Sequence, residues 1–126
     1  MIDVNKVILV GRLGADPVRR TTKTGLSVTN FSIATSYRRM QKDAVMEDGE
    51  IPMVDQTQWH RVVAWGKLGE YCARTLKKGS PVYVEGTFRS HTYNKDGIER
   101  MSFEVHSETI SMIDREKREE PAALAS

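Results

Sequence analysis

Leu68-Gly69-Glu70-Tyr71-Cys72-Ala73-Arg74-Thr75-Leu76-Lys77-Lys78-Gly79 is the segment on which the fold turns. Leu68, Tyr71, Cys72, Thr75 and Leu76 recur at the spacing of one helical face. Lys77 and Lys78 would fill the last turn, where cations suit the helix dipole, and Gly79 supplies the stop. The spacing predicts a helix of about three turns. On both sides of it the apolar residues alternate with period two instead.

Just upstream, Thr57-Gln58-Trp59-His60-Arg61-Val62-Val63-Ala64-Trp65 reads as a strand. Trp59, Arg61, Val63 and Trp65 share one face, and His60, Val62 and Ala64 share the other. Earlier, Leu26 to Tyr37 sets Phe31, Ile33, Thr35 and Tyr37 against Val28, Asn30, Ser32 and Ala34. Val4 to Leu13, rich in Val, Ile and Leu and closing at Gly14, reads as a strand buried on much of both faces. Thr21 to Gly25 is a turn signal, and polar Arg38 to Gln56 reads as a long mobile loop or a hairpin extension. Downstream, Pro81 to Tyr93 puts Val82, Val84, Gly86 and Phe88 on one face, with Tyr83, Glu85, Thr87, Arg89, His91 and Tyr93 on the other. Asn94-Lys95-Asp96-Gly97 is a hairpin turn. Ile98 to Ile113 completes that hairpin, with Met101, Phe103 and Val105 inward by parity.

Three strands, a short helix and two strands predict an all-β fold. It is a five-stranded OB-fold Greek-key barrel with one short helix between strands 3 and 4, the helix plugging one end. Residues 1–113 form this domain. Residues 114–120 are all charged, with mixed sign, so 114–126 is expected to be a solvated, disordered tail.

Composition narrows the function. Hydrophobic residues make up 39% and charged residues 29%, ordinary for a globular protein. A net charge of +2 points only weakly to a polyanionic partner. The single Cys72 excludes an intrachain disulfide and reads as a small core residue. No basic leader or membrane-length apolar run occurs, so a cytoplasmic protein is expected. His60, His91 and His106 have no metal-ligand spacing with Cys72, and neither a catalytic triad nor a paired-carboxylate motif stands out. No metal, cofactor or enzymatic activity is expected.

Taken alone, Trp59 and Trp65 read as easily as core residues. Their place on the third strand changes the balance, because strands two and three of an OB-fold carry its oligonucleotide-binding surface. Two indoles flanking a guanidinium suit base stacking and phosphate neutralisation. Arg89 shares a strand face with Tyr93 and reads as a second phosphate contact, with Lys67 and Lys78 as less specific cations.

The residues also resemble a known family. Val4-Asn5-Lys6-Val7-Ile8-Leu9-Val10-Gly11 with Leu13-Gly14 and Asp16-Pro17 is similar to the opening of the bacterial and mitochondrial single-stranded-DNA-binding proteins. Asn30 with Ala34-Thr35, Thr57 with Trp59-His60-Arg61-Val62-Val63, Gly66-Lys67-Leu68, Leu76 with Lys78-Gly79-Ser80, Val82-Tyr83-Val84-Glu85-Gly86 and Arg89 continue it in order. The resemblance implies single-stranded DNA as ligand, in replication, recombination and repair near the nucleoid, with bases stacking on Trp59, Trp65 and Tyr93. Arg39 stands where the family has a further Trp, and Tyr37, of the same parity, could substitute for it. A homotetramer is implied, paired through the first strand at Val4, Lys6 and Ile8, with His60 near a subunit contact. The family's long tail, whose acidic tip recruits replication and repair proteins, has no counterpart in these residues. The alternative is a related OB-fold factor of replication restart.

Overall fold

The computed structural model describes residues 2–41, 43 and 46–113. Six strands and one helix follow in the order β1 (Val7–Leu13), β2 (Val18–Thr21), β3 (Ser27–Met40), β4 (Met53–Trp65), α1 (Gly66–Thr75), β5 (Pro81–Lys95) and β6 (Ile98–Met112). Antiparallel ladders join β1 to β5, β5 to β6 and β3 to β4. A short parallel contact, Val62 with Val105 and Val63 with His106, joins β4 to β6. Pairing of Arg12 with Ala34 and Leu13 with Ile33 closes the circuit between β1 and β3. The result is the expected closed five-stranded OB barrel. The four-residue β2 lies along the edge of β3 beyond the point where β1 leaves it.

Alternation accounts for the core. Phe31 and Ile33 of β3, Val62 and Ala64 of β4, and Val82 and Val84 of β5 meet inside the barrel with Leu9, Leu13, Val105 and Ile110. Leu76 and Cys72 close one end, with Leu68 and Tyr71 of α1 packed against the same cluster. The helix has no side-chain N-cap and no acid in its first turn, so packing rather than capping holds it. Gly69 permits its close approach, since a Cβ there would strike the Ala64 carbonyl. Thr29 donates its hydroxyl to the Gly69 carbonyl at 2.7 Å. Burial pushes the Cys72 thiol up to about 11, so it stays protonated and acts as a core side chain.

Three expectations change, and one open alternative is decided. The first strand begins at Val7, but Asn5 extends its line, bonding the Phe88 backbone N–H and carbonyl through both amide atoms at 2.9 and 2.8 Å. Arg38 to Gln56 is mostly hairpin, because the ladder continues to the Met40–Met53 pair. Lys77 and Lys78 lie past the helix, which ends at Thr75 with Leu76 as its cap; Arg74 is the cation of the last turn. Met101 and Phe103 are exposed rather than inward, because the β5–β6 hairpin outruns the barrel and nothing covers that stretch. Phe103 instead stacks on Phe88, centroids 5.6 Å apart. The hairpin turns on Asp96 and Gly97, with φ of 54° and 77°, as the Asp-Gly signal requires. The tail expected at 114–126 lies outside the described residues.

Candidate nucleic-acid interface

The register assigns one outward face across five strands. Trp59, Arg61, Val63 and Trp65 of β4 pair with Ala34, Ser32, Asn30 and Val28 of β3. Val28 and Asn30 in turn pair with Arg20 and Val18 of β2. On the other side, His106 lies beside Val63 and opposite Thr87, and Glu104 lies opposite Arg89. His91 pairs with Ser102 and Tyr93 with Arg100 on the same face. An open groove of ≈ 970 Å³ runs over this face, lined by Trp59, Arg61, Trp65 and Tyr93 among others.

Both indoles stay accessible although they sit on a barrel strand. Trp59 is 54% exposed and Trp65 45%, whereas Val63 between them is buried. Six strand steps put the backbones that carry the indoles about 20 Å apart, too far for two neighbouring stacked bases. The Trp59 ring rests against Gly14 at the end of β1, where a Cβ would overlap it. Arg61 is steadied by a hydrogen bond from Nη1 to Ser102 Oγ at 3.1 Å. Trp65 donates from Nε1 to His106 Nδ1 at 3.3 Å. Such a face can stack separated bases while its guanidiniums meet the phosphates between them.

Other expected site residues are dispersed. Arg89 shares the outward register and leans its Nε towards Thr87 Oγ1 at 3.4 Å, but it does not line the groove. Tyr37 and Arg39 pair with Gln56 and Val54, on the opposite ladder face from Trp59, out on the β3–β4 arm. Lys67 lines a separate depression with Arg19, Glu70 and Arg74. The Lys78 backbone N–H donates to Asp16 Oδ1 at 2.8 Å, which sets Lys78 beside a groove-lining loop. Among the described residues no cluster of His, Cys, Asp and Glu could hold a metal ion, and no helix is long and apolar enough to cross a membrane.

Gly14, His91, Ser102 and Glu104 line the groove, and His106 bonds Trp65 beside it, but none stood out in the sequence. The placement of the β6 residues Ser102, Glu104 and His106 follows from the parallel β4–β6 contact, which has no local signature.

The profile of the Single-strand binding protein family matches residues 4–113. The chain belongs to that family. Relatives within it include Single-stranded DNA-binding protein 1 of Chlorobaculum tepidum, 40% identical over 112 residues, covering 87% of this chain and 65% of that protein. The Single-stranded DNA-binding protein of Xanthomonas axonopodis pv. citri is 41% identical over 111 residues, 87% of this chain and 58% of its own length. The chain thus spans roughly three fifths of these curated family members. Among solved structures, the Plasmodium falciparum SSB in complex with ssDNA superposes with a TM-score of 0.77 at 24% identity, covering 90% of this chain and 98% of that one. At that identity the likeness speaks for the shared fold.

Two further neighbourhoods lie away from the groove. On the outer face of β1, Ile8 and Val10 remain 56% and 57% exposed, while Lys6 pairs with Glu85 at 3.2 Å. The Tyr83 hydroxyl donates to the same Glu85; that bond and then Lys6 hold the carboxyl below its usual range, and the bond to Glu85 raises the phenol above its own. Val4 is exposed, ahead of the strand. His60 points away from the groove and shares a 2.8 Å hydrogen bond with Thr35, and burial lowers its tendency to protonate.

Proposed function

We propose that this chain is a non-enzymatic protein that binds single-stranded DNA without sequence preference and coats unwound strands in replication, recombination and repair. The observation that carries this reading is the pair of half-exposed indoles, Trp59 and Trp65, flanking Arg61 on the open face of an OB barrel. Tyr93 extends the stacking surface, Arg61 and Arg20 supply cations along it, and Arg89 supplies one beside it. Relatives named as single-stranded-DNA-binding proteins support the ligand class. Stacking needs unpaired bases, so duplex DNA of equal length should bind far more weakly.

The test is a titration of poly(dT), a mixed-sequence single strand and duplex DNA across a series of salt concentrations. Both single strands should bind with similar affinity. Arg61→Ala and Arg89→Ala should each reduce the log–log salt slope by about 0.7 for each phosphate of the single strand that the arginine neutralises. Their affinity loss should be the same for both single strands, because phosphates carry no sequence information. Glu47→Lys, in the turn of the β3–β4 arm, should change the slope much less. Equal binding to duplex, or unchanged slopes in both arginine variants, would overturn this path for the strand.

The same reading includes a homotetramer acting in the nucleoid-bearing cytoplasm, with Val4, Lys6, Ile8 and His60 at or near subunit contacts. Exposed Ile8 and Val10, on a strand paired with β5 along one edge but with β3 only at Arg12 and Leu13 on the other, support an outer cover of this kind. Sedimentation at micromolar concentration should give a species of about four chains. An Ile8→Glu, Val10→Glu double variant should sediment as a smaller species, and a monomeric parent protein would refute the assembly.

A further inference from the structure

The groove contains a hydrogen-bond relay that fixes a proton's position. Trp65 Nε1 lies 3.3 Å from His106 Nδ1, and His106 Nε2 lies 2.9 Å from Glu104 Oε1. An indole N–H can only donate, so Nδ1 must offer its lone pair. The hydrogen of the neutral imidazole then sits on Nε2 and is donated to Glu104. This arrangement selects one tautomer and with it one orientation of the Trp65 ring, whose centroid is 6.4 Å from that of His106. A second proton can enter only at Nδ1, where it removes the acceptor that the indole uses.

We propose that His106 is a positioning residue for Trp65. Its unprotonated Nδ1 pins the exposed indole in the orientation that stacks a base, so protonation of the imidazole weakens single-strand binding. The proposal rests on the groove being the single-strand site.

The charged and titratable groups around the imidazole come from several strands. On β6, Glu104 faces Nε2, and Glu108 follows at the strand's irregularity. On β5, Arg89 stands opposite Glu104, and His91 Nδ1 is 3.7 Å from the same Glu104 oxygen, so a second imidazole competes for that carboxylate. On β4, Arg61 is engaged by Ser102. Across the groove β3 contributes neutral Asn30 and β2 contributes Arg20. The charged residues of α1, Lys67, Glu70 and Arg74, line a different depression. A new positive charge in a groove for a polyanion would by itself strengthen binding, so the sign of the pH effect separates positioning from phosphate contact.

The test uses the full chain. With Trp59→Phe, Trp65 is the sole tryptophan, and its emission without DNA should change on acidification as the imidazole takes up its second proton. His106→Asn should flatten that titration, because its carbonyl can replace Nδ1 as acceptor and does not titrate. For poly(dT) at constant ionic strength, acidification should weaken the parent protein about three- to tenfold relative to His106→Asn, the worth of one hydrogen bond. His106→Ala should lose a similar factor at neutral pH, and that loss should vanish when Trp65 is Phe, which has no N–H to place. An equal loss from His106→Ala in both backgrounds would overturn the proposal. So would tighter binding on acidification that His106→Asn abolishes, which would make His106 a phosphate-binding cation. An unchanged affinity for Trp65→Ala would remove the groove reading and this proposal together. The DNA-free titration then tells that failure from a failure of the His106–Trp65 hydrogen bond alone.

Discussion

Replacing Trp59 or Trp65 by alanine should weaken poly(dT) binding by about 1–3 kcal/mol for each base that the indole stacks, roughly five- to 150-fold. That range is general to base–aromatic stacking in OB-fold single-strand binders, this family among them. Thermal stability should change little, because about half of each side chain already faces solvent. A third variant isolates the orientation of the ring from its presence. The three atoms nearest to a methyl group at position 14 all belong to the Trp59 ring, and Gly14 does not occupy a left-handed conformation. Gly14→Ala should therefore displace that indole and lose part of the Trp59 contribution while the indole itself remains. In a Trp59→Ala background Gly14→Ala should have no further effect. Fluorescence titration with melting curves for each variant checks the set; parent-like affinity in both tryptophan variants would rule out stacking on β4.

Ile33→Ala should have the opposite profile. Ile33 is fully buried at the centre of the barrel, one residue from Ser32 and Ala34 on the groove face. Removing its branched side chain leaves a cavity and should cost about 2–5 kcal/mol of folding stability. Chemical denaturation should show a lower midpoint at unchanged slope. Under conditions where the variant is folded, its poly(dT) affinity should stay close to the parent's. A loss of affinity without loss of stability would mean that the two faces of β3 are not separated as the ladder implies.

How much was legible depended on whether a residue's environment was local. Along β4 both faces could be read, because Val62 and Ala64 alternate strictly with Trp59, Arg61 and Trp65. The helix was equally plain, since its apolar residues lie within three turns of each other. β2 was missed because Val-Arg-Arg-Thr has no alternation and all four residues are exposed. Its ladder with β3 holds it, with Arg19 tied to Ser27 at 3.0 Å and Glu70 at 2.9 Å. For Met101 and Phe103 the parity was right and the burial wrong, because alternation says which face a side chain takes and not whether anything lies over it. The β6 side of the groove, Ser102 and Glu104 with His106 beside Trp65, was invisible for a different reason. It forms where β6 meets β4 across about forty residues of chain, and no periodicity encodes that meeting.

The alternation of β4 has a consequence for how this segment can vary between lineages. Core and groove are written in antiphase on one strand, so losing or gaining a single residue between Thr57 and Trp65 would exchange the two faces at once. The indoles would turn into a barrel already filled, and Val62 and Ala64 would turn to water. No single compensating replacement elsewhere could restore both. Drift in this segment is therefore confined to replacement in place. Length changes should be tolerated instead between Gln41 and Pro52, whose backbone bond at 2.9 Å closes the arm beyond the last ladder pair. Insertions and deletions among relatives should collect there and be absent from the strand that carries the tryptophans.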